Sequence, residues 1–359
     1  MASKKEKKII AAEEKKAAQL GITREQFLDR NVPDLGFDAN GERRFEYGAR
    51  SFIVTITPNM EFAVYETAPG SRTRGKKTKN LPKAGKKDDP AMAAAALEEF
   101  KLLKKDLKAE VKKQRKRMEL VLMTARKWSV DAWREAFEEH PLMRAFAIGM
   151  IWGIYEDGKL VQSFRYWEDG TFTNENKEAV ELPETAKITL VHPLEMTKEQ
   201  AKVWEDLLWE DSEIWSPIDQ LIRATYTVHK NEENKKKLVR LQKKYFNDYL
   251  FGRELEKMGW EYCMEDDDYY EMYYREDKDA GLCVELHTSG NTLFEADLVE
   301  ITLRGARFFK TGTFDWENHK YDDADDAKAI ALKDVPERYF SEVLLQIMMA
   351  AQKAFLCDE

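Results

Sequence analysis

Residues 151–172 read IWGIYEDGKLVQSFRYWEDGTF, and this stretch constrains the fold more than any other. Asp157-Gly158 and Asp169-Gly170 are hairpin dipeptides, because tight antiparallel connections need positive φ and glycine accepts it without a Cβ clash. The residues between them alternate in polarity, which predicts three short strands joined by two tight turns. Along 160–167 the alternation sends Leu160, Gln162, Phe164 and Tyr166 to one face and Val161, Ser163, Arg165 and Trp167 to the other. Arg165, Trp167 and Asp169 then share a rim. An arginine so placed has two uses. It stacks on Trp167 and pairs with Asp169 or Glu168, or it recognises an anion.

A second period runs through 90–128. Phe100, Leu103, Leu107, Val111, Gln114, Met118, Val121 and Ala125 recur at three- and four-residue steps, which predicts one long helix with a single apolar seam. Its other faces carry Lys101, Lys104, Lys105, Lys108, Lys112, Lys113, Arg115, Lys116 and Arg117. Upstream, the Gly-, Lys- and Arg-rich segment 69–89 reads as a mobile loop that buries no core. Two readings fit this basic run: a solvated surface, or a stripe that tracks phosphates. The residues singled out for nucleic acid are Arg72, Arg74, Lys76, Lys77, Lys112 and Lys113. GSRTRGKKT resembles a phosphate loop, but Lys77 stands where the GxxxxGK[ST] register requires Ser or Thr.

Shorter elements surround these two. Residues 4–19 alternate Lys and Glu as a charged helix, and Thr23 with Gln26 makes a capping-box signal for a second one. Residues 45–56 and 61–66 flank Thr57-Pro58-Asn59 as a β-hairpin. Ser129 caps VDAWREAFEEH, and His140, in His-Pro, reads as a helix-end hydrogen-bonding group. Residues 187–191 form a strand ending at His192-Pro193, and Thr197 opens a helix. Asp211 to Arg223 reads as a loop into a short helix, and 231–258 as charged and helical. From 260 to 320 the chain is strand-rich. EDDDYYEMYYRED, at its start, reads as a solvated acidic edge because the EF-hand register is missing. Pro336 to Phe355 closes the chain as an amphipathic helix.

No apolar run approaches the roughly 20 residues of a membrane span, and the basic N-terminus lacks the apolar segment of a secretory signal. The three cysteines (Cys263, Cys283, Cys357) lack CxxC spacing, so no metal site is assigned, and they fit a reducing cytoplasm. The net charge of −9 disfavours attraction to nucleic acid for the chain as a whole. The charge is segregated, however: 72–117 is basic, whereas 261–285 and 315–326 are acidic. GxSxG, HExxH, GxGxxG and Walker patterns are missing, so no enzyme and no cofactor are identified.

Seven stretches in order carry a resemblance. They are DRNVPDLGFDANGERRFEYGAR, QRKRMELVLMTARKW, HPLMRAFAIGMIWGIYEDG, SFRYWEDGTF, ITLVHPLEM, SPIDQLIR and VPERYFSEVL. In these the chain resembles, over 20–350, the bacterial family of domain of unknown function 4132 (DUF4132), found towards the C-terminus of molybdate-metabolism-regulator-like (MolR-like) proteins. The resemblance implies no established catalytic residues. It implies neighbours elsewhere in the family, helical repeats or a nucleic-acid-associated WGR domain. Neither is seen in this chain, which would be a stand-alone or truncated member. Arg115, Arg117, Glu119, Arg126, Trp128, His140, Trp152, Arg165, Asp169, His192, Gln220 and Arg223 fall on the family motifs. They form either one cleft or a buried polar network fixing the meander against the long helix.

The expected fold is therefore α+β: an antiparallel meander packed with a long amphipathic helix, then a strand-rich section and a closing helix. The expected sections are 1–128, 129–258 and 259–359. The first functional expectation is a cytoplasmic binding or regulatory protein with a protein or nucleic-acid partner and no membrane. The alternative is an enzyme or binding protein for a nucleotide or phosphate ester, with Arg126, Arg165, Asp169, His192, Gln220 and Arg223 as ligand-binding candidates.

Overall fold

In the computed structural model, which describes residues 4–210, 216–241, 245–263, 269–292, 300–316 and 318–354, the chain divides into two units. One is Ala17–Arg223; the other joins Met1–Lys16 to Ala224–Glu359. Helix α1 (Lys4–Gln19) opens the chain and α2 (Arg24–Arg30) follows. The capping box at α2 is formed: the Gln26 N–H donates to Thr23 Oγ1 at 3.1 Å, and the Thr23 N–H donates to Gln26 Oε1 at 2.9 Å.

Strands β1 (Arg43–Glu46), β2 (Ser51–Ile56), β3 (Phe62–Thr67) and β4 (Lys77–Thr78) pair in that order, all antiparallel. The hairpin about Thr57–Asn59 is present. The predicted strand 45–56, however, is two strands, because Gly48 takes φ of 82° and turns the chain. Segment 69–89 buries more than its composition predicts. Leu81 enters the core, Tyr47 Oη donates to the Pro82 carbonyl at 2.8 Å, and Arg50 Nη2 holds the buried Asp88 at 2.5 Å. The Arg50 guanidinium and the Gly85 N–H together keep the Asp88 carboxyl below its usual range. The Leu81 side chain, the Arg50–Asp88 ion pair and the short pairing of β4 with β3 anchor the segment against the sheet.

The long helix α3 (Pro90–Thr124) starts at Asp89, whose side chain accepts from the Ala91 and Met92 N–H groups, with Pro90 in the first turn. Phe100, Leu103, Leu107, Val111, Gln114, Met118 and Val121 are buried. Phe100 meets Phe45 edge-on at 5.8 Å and Phe62 at 5.5 Å. Ala125 is not part of the seam. It ends the helix in the left-handed region, with φ of 55°.

Beyond α3 lie β5 (Trp128–Ser129), α4 (Val130–Trp133), a π-turn over Arg134–Glu138 and α5 (Pro141–Ile148). Ser129 caps α4 and His140 caps α5. Then come β6 (Ile151–Glu156), β7 (Lys159–Tyr166), β8 (Phe172–Thr173) and β9 (Lys187–Leu190), in a sheet of order β5-β9-β6-β7-β8. The meander is as predicted, but its alternation breaks at Val161, where the pairing shifts between Ile154↔Gln162 and Tyr155↔Leu160. The extra residue sends Leu160 away from Phe164. Leu160 packs with Ile151, Val191 and Trp204, whereas Phe164 and Tyr166 join the main core. There Trp152 lies 5.2 Å from Trp133 and 6.2 Å from Trp128, ring to ring, with Phe137 packed among them. Helix α6 (Lys198–Glu210) starts at Thr197 as expected. Of Asp211–Arg223, residues 216–223 form bends and no helix; 211–215 lie outside the described residues.

In the other unit, the predicted helix 231–258 is confined to α7 (Asp248–Lys257). Before it come β10 (Lys237–Leu238) and β11 (Tyr245–Asn247), both paired with β15. Strands β12 (Glu261–Cys263), β13 (Tyr269–Asp277), β14 (Leu282–Thr292) and β15 (Glu300–Lys310) complete a sheet of order β10-β15-β14-β13-β12. The acidic stretch is therefore an inner strand where it is described, not an edge. Its Asp277 is buried, holds Arg275 at 2.7 Å and accepts from Tyr339 Oη at 2.8 Å. Residues 264–268 lie outside the described residues. Helix α8 (Glu337–Ala354) is the last element and sets Tyr339 edge-on and Phe340 tilted against Phe308. The opposite sheet face (Cys263, Met272, Cys283, Phe309) lies under Phe314, Trp316, Tyr321 and Ala329.

Candidate anion-binding groove

The β2–β3 turn closes with the Met60 N–H donating to the Thr57 carbonyl at 2.9 Å, and Met60 takes φ of 58°. This turns Asn59–Phe62 towards α3. On the helix, 104, 107, 108, 111 and 115 recur at three- and four-residue steps and so share a face. Between these walls, with Lys79 and Asn80 alongside, lies a groove of about 460 Å³. Phe62, Leu107 and Val111, all buried core residues, form its apolar side.

The rim is cationic. Lys79 Nζ lies 2.9 Å from Glu61. Lys104 donates to the Asn80 side chain and sits 4.8 Å over the Phe100 ring. Lys108 is exposed and makes no hydrogen bond or ion pair to a described residue. Arg115 is half-buried; burial pushes its pKa down and the nearby Asp219 charge partly offsets this. Four cations thus face one carboxylate across an apolar floor, an arrangement suited to an anion with an apolar body.

The groove lies within a longer basic surface. The side chains of Arg72, Lys76, Lys77, Lys83, Lys86, Lys87, Lys105, Lys112 and Lys116 are exposed and make no hydrogen bond or ion pair to a described residue. Arg74 is held by Glu42 at 2.8 Å over the Tyr65 ring, and Lys113 stands 4.0 Å from Glu110. Arg117, read in sequence as part of this stripe, points inward.

The motif residues gather at three centres. At the first, Asp29 accepts from Arg117 Nη2 at 2.5 Å, from Trp128 Nε1 at 2.8 Å and from Arg126, while Glu25 takes Arg117 Nε at 3.3 Å. Arg126 also stacks 4.6 Å over Trp128. The second surrounds Ile151. Gln220 Oε1 accepts from the Ile151 N–H at 2.9 Å, and Gln220 Nε2 donates to the Ile151 and Val191 carbonyls at 2.6 and 2.8 Å. Arg165 pairs across the sheet from Ile151, donates to the Ile148 carbonyl at 3.3 Å and stacks 4.1 Å over Trp167. His192, next to Val191, caps the turn Pro193–Glu195 by accepting from the Leu194 N–H at 3.1 Å. At the third centre, Arg223 reaches Glu119 at 2.9 Å. Asp169 stays in its own turn and accepts from the Thr171 N–H and hydroxyl, which lower its pKa. His140 accepts from two N–H groups of α5, and burial lowers its pKa.

A family model described as a domain of unknown function, DUF4132, matches residues 75–260, just over half of the chain. The chain belongs to the DUF4132 family. It is also similar to the uncharacterized protein YehI of Escherichia coli strain K12, at 33% identity over 254 residues, covering 70% of this chain and 20% of that protein. The chain therefore spans about a fifth of the relative's length. No solved structure matches it.

The DUF4132 match includes seven of the groove's lining residues, from Lys79 to Arg115, but not the turn Asn59–Phe62. Sequence reading missed the pairing of that turn with α3, and so missed Asn59, Asn80, Lys104 and Lys108 as neighbours. Only the shared spacing of Lys104, Lys108 and Arg115 hinted at it. It also missed a buried charged layer in the C-terminal sheet. Glu285 takes Arg307 at 2.8 Å and His319 at 3.3 Å, and His287 stacks on Tyr321 at 3.5 Å. No group of His, Cys, Asp and Glu suited to a metal ion occurs among the described residues.

Proposed function

We propose that this DUF4132 protein is a binding protein whose partner is a polyanion, nucleic acid in the first place, held along α3 and the 72–87 segment. What carries the reading is the crowd of exposed cations without anionic partners among the described residues, in a chain whose net charge is −9. Between 72 and 117, seventeen Lys and Arg stand against six Asp and Glu. Like charges so concentrated repel one another, and phosphates relieve the repulsion while releasing counterions.

The test is fluorescence anisotropy with labelled single-stranded DNA, single-stranded RNA and duplex, titrated between about 50 and 200 mM salt. Affinity should fall steeply with salt. Replacing Lys76, Lys77, Lys112 and Lys113 by Gln should weaken binding tenfold or more and flatten the log–log slope by about one for each phosphate no longer neutralised. Binding insensitive to both salt and these substitutions overturns the reading.

The other candidates, Arg126, Arg165, Asp169, His192, Gln220 and Arg223, bond to backbone groups and carboxylates, which supports a structural use for them. A finer placement belongs to the same proposal: a MolR-like regulator working in the cytoplasm. The seven sequence motifs support the first part, and the free, buried thiols of Cys263 and Cys283 support a reducing compartment. No helix among the described residues is long and apolar enough to cross a membrane.

A further inference from the structure

The groove has a property that the rest of the basic surface lacks, an apolar floor. A bare phosphate chain gains nothing from Phe62, Leu107 and Val111, because phosphate oxygens are better left in water than set against hydrocarbon. A nucleobase gains from such a surface by burying its faces. Asn59 and Asn80 stand at the edge of the same groove, and carboxamides offer both donors and acceptors to a heterocycle's edge. Lys108 and Arg115 are seven residues apart, about 10 Å along a helix at 1.5 Å per residue. That is about the reach from a base to its 5′-phosphate. The volume of about 460 Å³ falls within the roughly 300–1,000 Å³ usual for small-molecule sites.

We infer that the groove between the β2–β3 turn and α3 is a site for one nucleoside phosphate. The phosphate sits between Lys104 and Lys108, and the base lies over Leu107 and Val111 towards Arg115. Lys104 leaves Asn80 for the phosphate on binding, which frees that carboxamide for the base. Glu61 remains neutralised by Lys79. The inference deepens the polyanion reading, since the occupant is either a free nucleotide or one unpaired nucleotide of a bound strand.

The test is calorimetric titration of the full chain with AMP, GMP, CMP, UMP, ribose 5-phosphate and inorganic phosphate. At least one nucleoside monophosphate should bind one-to-one and at least tenfold more tightly than ribose 5-phosphate. Lys108→Glu should weaken it tenfold or more, Asn80→Ala should alter the preference among bases, and Lys159→Glu, at an exposed lysine outside the basic surface, should leave it unchanged. Lys108 is exposed and makes no bond to a described residue, so its substitution spares the fold; a thermal melt checks this. Equal binding of all the phosphates, equal effects of Lys108→Glu and Lys159→Glu, or no nucleotide binding at millimolar concentration each overturns the site. A nucleotide that displaces a labelled single strand identifies the occupant as part of the polymer, and one that binds without displacement identifies it as a free metabolite. Salt-dependent strand binding that survives while nucleotide binding fails sinks only this inference, and the converse sinks only the polyanion reading.

Discussion

The Asp29 carboxylate accepts from two guanidinium groups and an indole, so removing it strands charge at once. Arg117 and Arg126 are about nine-tenths buried, and breaking a fully buried pair costs about 3–5 kcal/mol. Asp29→Ala should cost somewhat less, about 2–3 kcal/mol after discounting for residual solvent, read as a lowered urea midpoint. His287 makes a second prediction. Burial, with Arg304, Lys237 and Arg307 nearby, pushes its pKa down to about 3. The unfolded chain therefore takes up a proton near pH 6.5 that the folded chain refuses. As pH falls from about 6.5 towards 3, this residue alone should remove stability at about 1.4 kcal/mol per pH unit. His287→Phe, which keeps the stack on Tyr321, should remove that slope from melting curves taken across the window. His140 was legible in sequence as a helix-end group because its capping bonds are local, from the N–H groups two and three ahead, whereas its Nε2 contact with the Val32 carbonyl at 3.1 Å was not. The partners of Asp29 lie some ninety positions away, and nothing in the local pattern announces them.

The same distinction holds for elements. The capping box of α2, the start of α3 at Asp89-Pro90 and the two Asp-Gly turns were readable because each signal lies within a few residues of what it controls. Asp89→Ala should destabilise α3 by about 1 kcal/mol, the usual loss on removing such a cap, and amide exchange should rise first over the opening turn. The face of Leu160 was not readable, because the bulge at Val161 is set by pairing with β6 rather than by β7's own sequence. Nor was the strand-and-helix composition of 231–258. Its Lys-rich pattern fits a helix, but Lys237 and Leu238 are held as a strand by β15, and tertiary pairing overrides propensity in so short a stretch.

For the whole molecule, the α+β class followed from the mixture of two periods, whereas the division at Arg223–Ala224 left no composition boundary to read. Charge segregation was visible at once, but the groove that gives it chemical shape needed the fold to bring residues 59–62 to 104–115. Both thiols described in the C-terminal sheet are covered. Cys283 is fully buried, with its pKa raised to about 12, and Cys263 is buried beside the Trp316 carbonyl. Alkylation of these two thiols, followed by peptide mass spectrometry, should be negligible in the native protein and complete in guanidinium; native labelling at the rate of a free thiol would contradict their burial.

The cluster of Trp128, Trp133 and Trp152 has an optical consequence. Indole rings 5.2 and 6.2 Å apart share their excited states, so light absorbed by one is redistributed over the group and circular dichroism carries a coupled pair of bands. The unit Met1–Lys16 with Ala224–Glu359 contributes Trp260 and Trp316, which have no indole neighbour among the described ring contacts. One spectroscopic band therefore belongs to Ala17–Arg223 alone, and its disappearance on heating or in denaturant marks the moment that unit's core comes apart, whatever the rest of the chain is doing.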